Sequence, residues 1–199
     1  HRYMRENNIR HLPIVDKRNR LVGLVTRETL LHAMPSPVTT LSIWEMNYAL
    51  NKVKVRDVMV RDVITVEEDM SIEKAARIMA ENKIGGLPVM RGDPSTGSGQ
   101  ALVGIITDTD MLSTLMELMG ARQAGVRVTL QVPDAPGELA KVTAAIAAQS
   151  GDIAACGTYP AEEPLKANIV LKVRHVPEDD LVASLRALVG VEVLDVRAG

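Results

Sequence analysis

Asp110 stands three residues after Thr107, where an apolar run ends and a helical pattern begins. A carboxylate on the first turn of a helix can accept hydrogen bonds from both hydroxyls of a sugar cis-diol, a charge-assisted pair. The free amides of that helix end, with the Thr107 hydroxyl, face outward as an anion site. Asp108 adds negative charge nearby, so a bound anion would want a cation as well. A plainer reading stands beside this one. Asp110 could simply cap the helix or complement its dipole.

The elements around these residues occur twice. Asn8-Ile9-Arg10-His11-Leu12-Pro13-Ile14-Val15 returns as Lys83-Ile84-Gly85-Gly86-Leu87-Pro88-Val89-Met90, an offset of 75 (from 8 to 83). Leu21-Val22-Gly23-Leu24-Val25-Thr26-Arg27-Glu28-Thr29-Leu30 returns as Leu102-Val103-Gly104-Ile105-Ile106-Thr107-Asp108-Thr109-Asp110-Met111, an offset of 81 (from 21 to 102). Two copies of one supersecondary unit normally pack together to close a shared core. The copies differ in their polar residues, which marks a ligand site. Position 110 is Asp where its counterpart is Thr29, and Arg10 and His11 stand where the second copy has Gly85 and Gly86. Arg10 also admits the bland reading of a solvated surface charge.

Composition narrows the function. With 199 residues the chain can form more than one domain. A net charge of −2 with both signs interspersed gives no clustered basic face for nucleic acid. Aromatic residues make up 2% with no Phe, which removes base-stacking platforms. Cys156 is the single cysteine, so no disulfide framework or Cys-based metal site forms, as suits a reducing cytoplasm. The histidines His1, His11, His32 and His175 lack metal-ligand spacing. No apolar run approaches ~18 residues, so no membrane span is expected. His1-Arg2-Tyr3-Met4-Arg5-Glu6 reads as the tail of a helix already under way, so the first unit is expected to be N-terminally incomplete.

The second copy reads β-α-β-β-α. Val63-Ile64-Thr65-Val66 is its first strand, and Ser71 caps a helix carrying Ile72, Ala75, Ala76, Ile78 and Met79 at helical spacing. Gly85-Gly86 stops that helix, and strands follow from Leu87 and over residues 102–107. The stretch 91–100 between them is turn-rich. A second helix carries Met111, Leu112, Leu115, Met116 and Met119. Between the copies, Ser42 and Glu45 form a capping box, and Trp44 reads as a packing anchor. The expected division is residues 1–34, a linker at 35–56, residues 57–119, a linker at 120–125 and a separate unit at 126–199. That last unit reads β-α-β-β-α-β, the split ferredoxin-like order. The fold class is therefore α/β (α+β). The adjacent acidic pairs Glu67-Glu68, Glu162-Glu163 and Asp179-Asp180 suit solvated turns and helix starts better than a catalytic dyad.

The repeated units resemble CBS domains, on Gly104-Ile105-Ile106-Thr107-Asp108-Thr109-Asp110 and on the strand starts at Leu12 and Leu87. The last unit resembles an ACT domain, on Asp134-Ala135-Pro136-Gly137-Glu138-Leu139. The order CBS–CBS–ACT, with Trp44-Glu45-Met46-Asn47-Tyr48 and Lys54-Val55-Arg56-Asp57-Val58-Met59 in the linker, is similar to the acetoin-utilisation regulatory family. The resemblance implies an adenine nucleotide such as AMP or ATP as a ligand rather than a cofactor. Its ribose would lie on Asp110 and its phosphate at Thr107. The cation would come from Arg10 and His11 of the other copy, and Asp108, Ile64 and Thr65 complete the expected set. The reciprocal site, with Thr29 and Gly85-Gly86 and so neither carboxylate nor cation, would be degenerate.

In the ACT unit the resemblance implies an amino-acid site at Asp134, Gly137, Asp152 and Ile153, usually between paired subunits. Asp134 as an N-cap in a purely dimerising domain remains the alternative, and Asp152 stands where many ligand-binding relatives have Asn. No nucleophile-base set, metal cluster or P-loop is present, so an enzyme is not expected. The leading expectation is a cytoplasmic, homodimeric regulator, with a regulated metabolic enzyme as a further partner. The alternatives are a structural dimerisation subunit with vestigial sites and the detached regulatory half of an enzyme.

Overall fold

The computed structural model describes residues 1–33, 52–92 and 100–199. The capping box at Ser42 and Glu45, and Trp44, lie outside these residues. The contacts divide the chain into two compact units, His1–Met111 and Leu112–Gly199.

In the first unit α1 (Arg2–Glu6) precedes β1 (His11–Val15), β2 (Leu21–Thr26) and α2 (Arg27–His32). Next come α3 (Val55–Val58), β3 (Val66–Glu67), α4 (Ile72–Asn82), β4 (Gly86–Arg91) and β5 (Ala101–Thr107). Helix α5 (Asp108–Leu118) begins in this unit. The repeat holds at the level of strand register. Leu12 faces Val25 as Leu87 faces Ile106, and both hairpins carry a bulge at the same place, after Ile14 and after Val89. The first turns match too. The Arg27 amide donates to the Arg10 carbonyl at 2.9 Å, and the Asp108 amide to the Gly85 carbonyl at 3.1 Å.

Two boundaries differ from the sequence expectation. The first strand of the second copy spans Val66 and Glu67 rather than 63–66, paired in parallel with Val89 and Met90. Extending that pairing backwards would meet Pro88, which has no amide to donate. Helix α4, capped by Ser71, ends at Lys83 in the left-handed conformation (φ +55°), two residues before the glycine pair. Its buried Ala75 and Met79 join Val66 and Leu87 in a core that Ile78, Ile106 and Met111 extend.

The second unit is a four-stranded antiparallel sheet ordered β7-β8-β6-β9. Its elements are β6 (Val126–Pro133), α6 (Glu138–Ala148), β7 (Asp152–Pro160), β8 (Lys166–Arg174), α7 (Glu178–Arg186) and β9 (Glu192–Ala198). The β-α-β-β-α-β order read from the sequence is the observed one. Alternation does the work: Val126, Val128, Leu130 and Val132 are buried, and they meet Val142, Ile146, Leu181 and Leu185 of the two helices. None of the described helices is long and apolar enough to cross a membrane.

Candidate functional site

Strand β5 delivers Thr107 to the point where α5 starts, and one helical turn places Asp110 back over it. Asp110 Oδ2 accepts from the Thr107 amide at 2.8 Å and from the Thr107 hydroxyl at 2.7 Å. This is the capping geometry of the plainer reading, and it turns the Thr107 hydroxyl towards Asp110. A carboxylate has about four acceptor positions, and both of these bonds fall on one oxygen. At the equivalent place in the first copy, the Thr29 amide donates to the Thr26 hydroxyl at 3.1 Å and the Thr26 amide to the Thr29 hydroxyl at 2.9 Å. The two copies thus cap their helices with the same positions and different chemistry, neutral in one and anionic in the other.

Arg10 crosses from the first copy to the start of α5. Its Nη2 donates to Asp108 Oδ1 at 2.7 Å and to the Thr109 hydroxyl at 3.1 Å. His11 lies flat against the glycine pair, since a Cβ on Gly86 would sit 3.1 Å from its ring and one on Gly85 3.3 Å. Burial pushes the His11 pKa down, against the opposing pull of Asp108. The imidazole is therefore neutral at pH 7, so it can hydrogen-bond a phosphate but adds no full charge.

Two cavities flank Arg10 and His11. One, of about 220 Å³, is lined by both of them with Thr107, Thr109 and Asp110. It gathers the expected ribose and phosphate residues. The other, of about 430 Å³, is lined by the same pair with Thr26, Ile64, Gly85, Gly86 and Asp108. Ile64 therefore lies on the opposite side from the cavity in which the sequence reading put it. The cause is a bridge between Val60 and Leu24, two amide-carbonyl bonds of 2.9 Å, which ties the segment before β3 to the first copy. Thr65, half-buried, follows Ile64 on that segment and lines neither cavity. Asp62 and Glu28 also line the larger cavity. With Arg27 and Lys83 there too, the reciprocal side has both carboxylates and cations, which the Thr29 and Gly85-Gly86 comparison did not reveal.

The ACT-unit candidates do not converge in the same way. Asp134 is exposed and does not cap α6; that helix starts at Gly137 (φ +94°) with no side-chain cap. Open space surrounds the place of a Gly137 Cβ, so close backbone approach is available there. Asp152 is ion-paired with Arg174 across the β7–β8 ladder. Ile153 is partly buried and packs on the core. The sequence reading passed over Glu138. It is buried at the first position of α6, with Oε1 taking Lys141 Nζ at 2.6 Å and Oε2 left without a partner. A Glu at a helix start is an ordinary dipole partner, so only its burial sets it apart. No group of three or more metal-ligating side chains occurs among the described residues.

A repeated pair of strand-helix units has clefts on either side of a shared polar strip, and a ferredoxin-like domain follows it. The CBS domain matches residues 1–36 and 55–117, and a TTHA0829-like ACT domain matches residues 124–197. The chain belongs to the CBS-domain family, carrying a CBS pair and a C-terminal ACT domain.

Protein MJ1426 of Methanocaldococcus jannaschii is 32% identical over 137 residues, 58% of this chain and 78% of that one. A solved protein of Vibrio cholerae, named as an acetoin utilization protein (AcuB), is 31% identical. The match covers 61% of this chain and 77% of that one with a TM-score of 0.46. The CBS pair of protein MJ0100, solved in complex with 5'-methylthioadenosine and S-adenosyl-L-methionine, is 30% identical. It covers 61% of this chain and 79% of that one, with a TM-score of 0.44. The chain spans 38% and 17% of two further, longer curated relatives.

Proposed function

We propose that the CBS pair is a non-enzymatic regulatory module that binds an adenine nucleotide, its phosphate between Arg10 and His11 and its ribose on Asp110. The observation that carries this is the cavity in which side chains of both copies meet, Arg10 and His11 from one and Thr107 and Asp110 from the other. Its volume of about 220 Å³ is below the ~300–1,000 Å³ of drug-sized sites. It suits the sugar-phosphate part, with the base extending beyond. The ACT domain would add self-association and an amino-acid site at residues 134–138. The domain order favours control of a metabolic enzyme, as in the acetoin-utilisation regulatory family that it resembles. Self-association as a homodimer has support in α5, where Leu112, Leu115 and Leu118 are each more than half exposed. Sedimentation as a strict monomer at micromolar concentration would count against it.

Calorimetry with AMP, ATP and adenosine tests the nucleotide site. Asp110→Ala removes a charged acceptor for two hydroxyls and should cost about 1.5–3 kcal/mol, roughly ten- to more than hundredfold in affinity. Thr29→Ala should change binding by much less, and Arg10→Ala should weaken AMP more than adenosine. Absence of binding by any adenine ligand overturns the proposal. A second reading places the ligand in the larger cavity, whose volume of about 430 Å³ lies within the usual range. There Ile64 would provide an apolar wall and Asp62 the carboxylate. Loss of binding on Asp62→Ala, with Asp110→Ala silent, would select it.

A further inference from the structure

We infer that Asp108 is a specificity-determining positioning residue, which holds Arg10 as an internal competitor for the ligand's phosphate. This rests on the reading of the CBS pair as a nucleotide site. Arg10 borders both cavities, so its guanidinium is within reach of an anion on either side; the larger cavity has Arg27 and Lys83 besides, while the smaller one is lined by Arg10 alone among the described lysines and arginines. Its Nη2 is already shared between Asp108 Oδ1 and the Thr109 hydroxyl. Asp108 is fixed from behind. Its amide bonds the Gly85 carbonyl, and its Oδ2 lies 3.2 Å from where a Gly85 Cβ would stand.

The repeat gives this arrangement its meaning. The counterparts of Arg10 and Asp108 are Gly85 and Arg27, so the twofold-related place has a glycine and a cation in place of an ion pair. The pair occurs on one side only, and it spans the two copies. Both partners are about half exposed, 53% and 49% by side chain. Exposed pairs of this kind are weak, shifting an equilibrium by roughly fivefold at most. A latch of that strength can be displaced.

Ligands then sort by their anion. A neutral nucleoside leaves the pair intact and neither gains nor loses by it. A monocarboxylate would only exchange one carboxylate for another. A terminal phosphate presents several oxygens and can take both faces of the guanidinium fork, so it alone recovers the cost of releasing Asp108. Asp108 thereby sets a threshold that favours phosphate-bearing ligands over other anions, at the expense of some affinity.

Calorimetry with AMP and adenosine, on wild type, Asp108→Asn, Arg10→Met and the double variant, tests this. Asp108→Asn should tighten AMP roughly two- to fivefold relative to adenosine. In the Arg10→Met background the gain should vanish, because no guanidinium remains to be released. A gain that persists without Arg10 would mean simple charge repulsion and overturn the inference. Weaker AMP binding by Asp108→Asn, or an equal change for adenosine, would overturn it too while leaving the nucleotide site standing. Failure of wild type to bind either ligand would remove the nucleotide reading and this inference with it.

Discussion

The two CBS copies share a backbone and divide the polar chemistry between them. Equivalent residues pair in equivalent registers, yet the first copy contributes Arg10 and His11 and the second Asp108 and Asp110. The helix of the first copy is capped by a neutral Thr26/Thr29 pair, and that of the second by Asp110 on Thr107. Backbone geometry is thus the conserved part of the repeat, and side-chain charge is the part left to specialise. The difference teaches that a degenerate motif in one copy need not mean an empty side of the molecule. The larger cavity lies beside Thr26 and the glycine pair.

The largest expected break in the symmetry is in packing. Leu87 is fully buried, whereas its counterpart Leu12 is half-buried. Leu87→Ala should destabilise the first unit by about 2–5 kcal/mol, and Leu12→Ala by clearly less, as read from urea unfolding. Equal costs would mean that the copies bury their strand starts alike.

A smaller contrast lies in the caps. Thr26→Ala removes the hydroxyl that accepts the Thr29 amide and should cost about 0.5–2 kcal/mol. Thr107→Ala should cost less in the unliganded protein, because the Thr107 hydroxyl serves as a donor to Asp110, whereas the Thr26 hydroxyl is the acceptor of a helix amide. The same melts decide it, and a larger loss at Thr107 would show that the hydroxyl bond to Asp110 dominates.

The smallest effect concerns pH. The folded-state pKa of His11 is lowered from 6.5, chiefly by burial. Between that lowered value and 6.5 the unfolded chain binds more protons than the folded one, so acid favours unfolding. The contribution of His11 is fully present above about pH 6.5 and is lost as pH falls towards the folded pKa. Stability measured between pH 7.5 and 5 should slope less in His11→Gln than in wild type. A parallel slope in the two proteins would mean that other groups carry it. Position 86, the counterpart of His11, has a glycine and adds nothing that titrates.

Much of the fold was legible because it rests on local rules. The alternation of Val126, Val128, Leu130 and Val132, the helical spacing of Ala75 and Met79, and the repeat offsets are all properties of neighbours along the chain. Thr107, Asp110, Arg10 and His11, which the repeat singles out, border one cavity. The shortness of β3 also follows from the sequence, since Pro88 lacks the amide that a longer parallel pairing would need.

What the sequence could not settle was where charges end up relative to one another. Arg10 and Asp108 are 98 positions apart, and their ion pair exists because two hairpins bring their ends together. Ile64 went to the other cavity because Val60 bridges to Leu24, a non-local bond that no periodicity announces. Glu138 reads as a common helix-start acid until burial leaves one of its oxygens unpartnered. Sequence fixes periodicity, caps and turns because these depend on residues a few positions apart. Ion pairing and burial depend on distances across the fold, where attraction falls with separation in space and takes no account of separation along the chain.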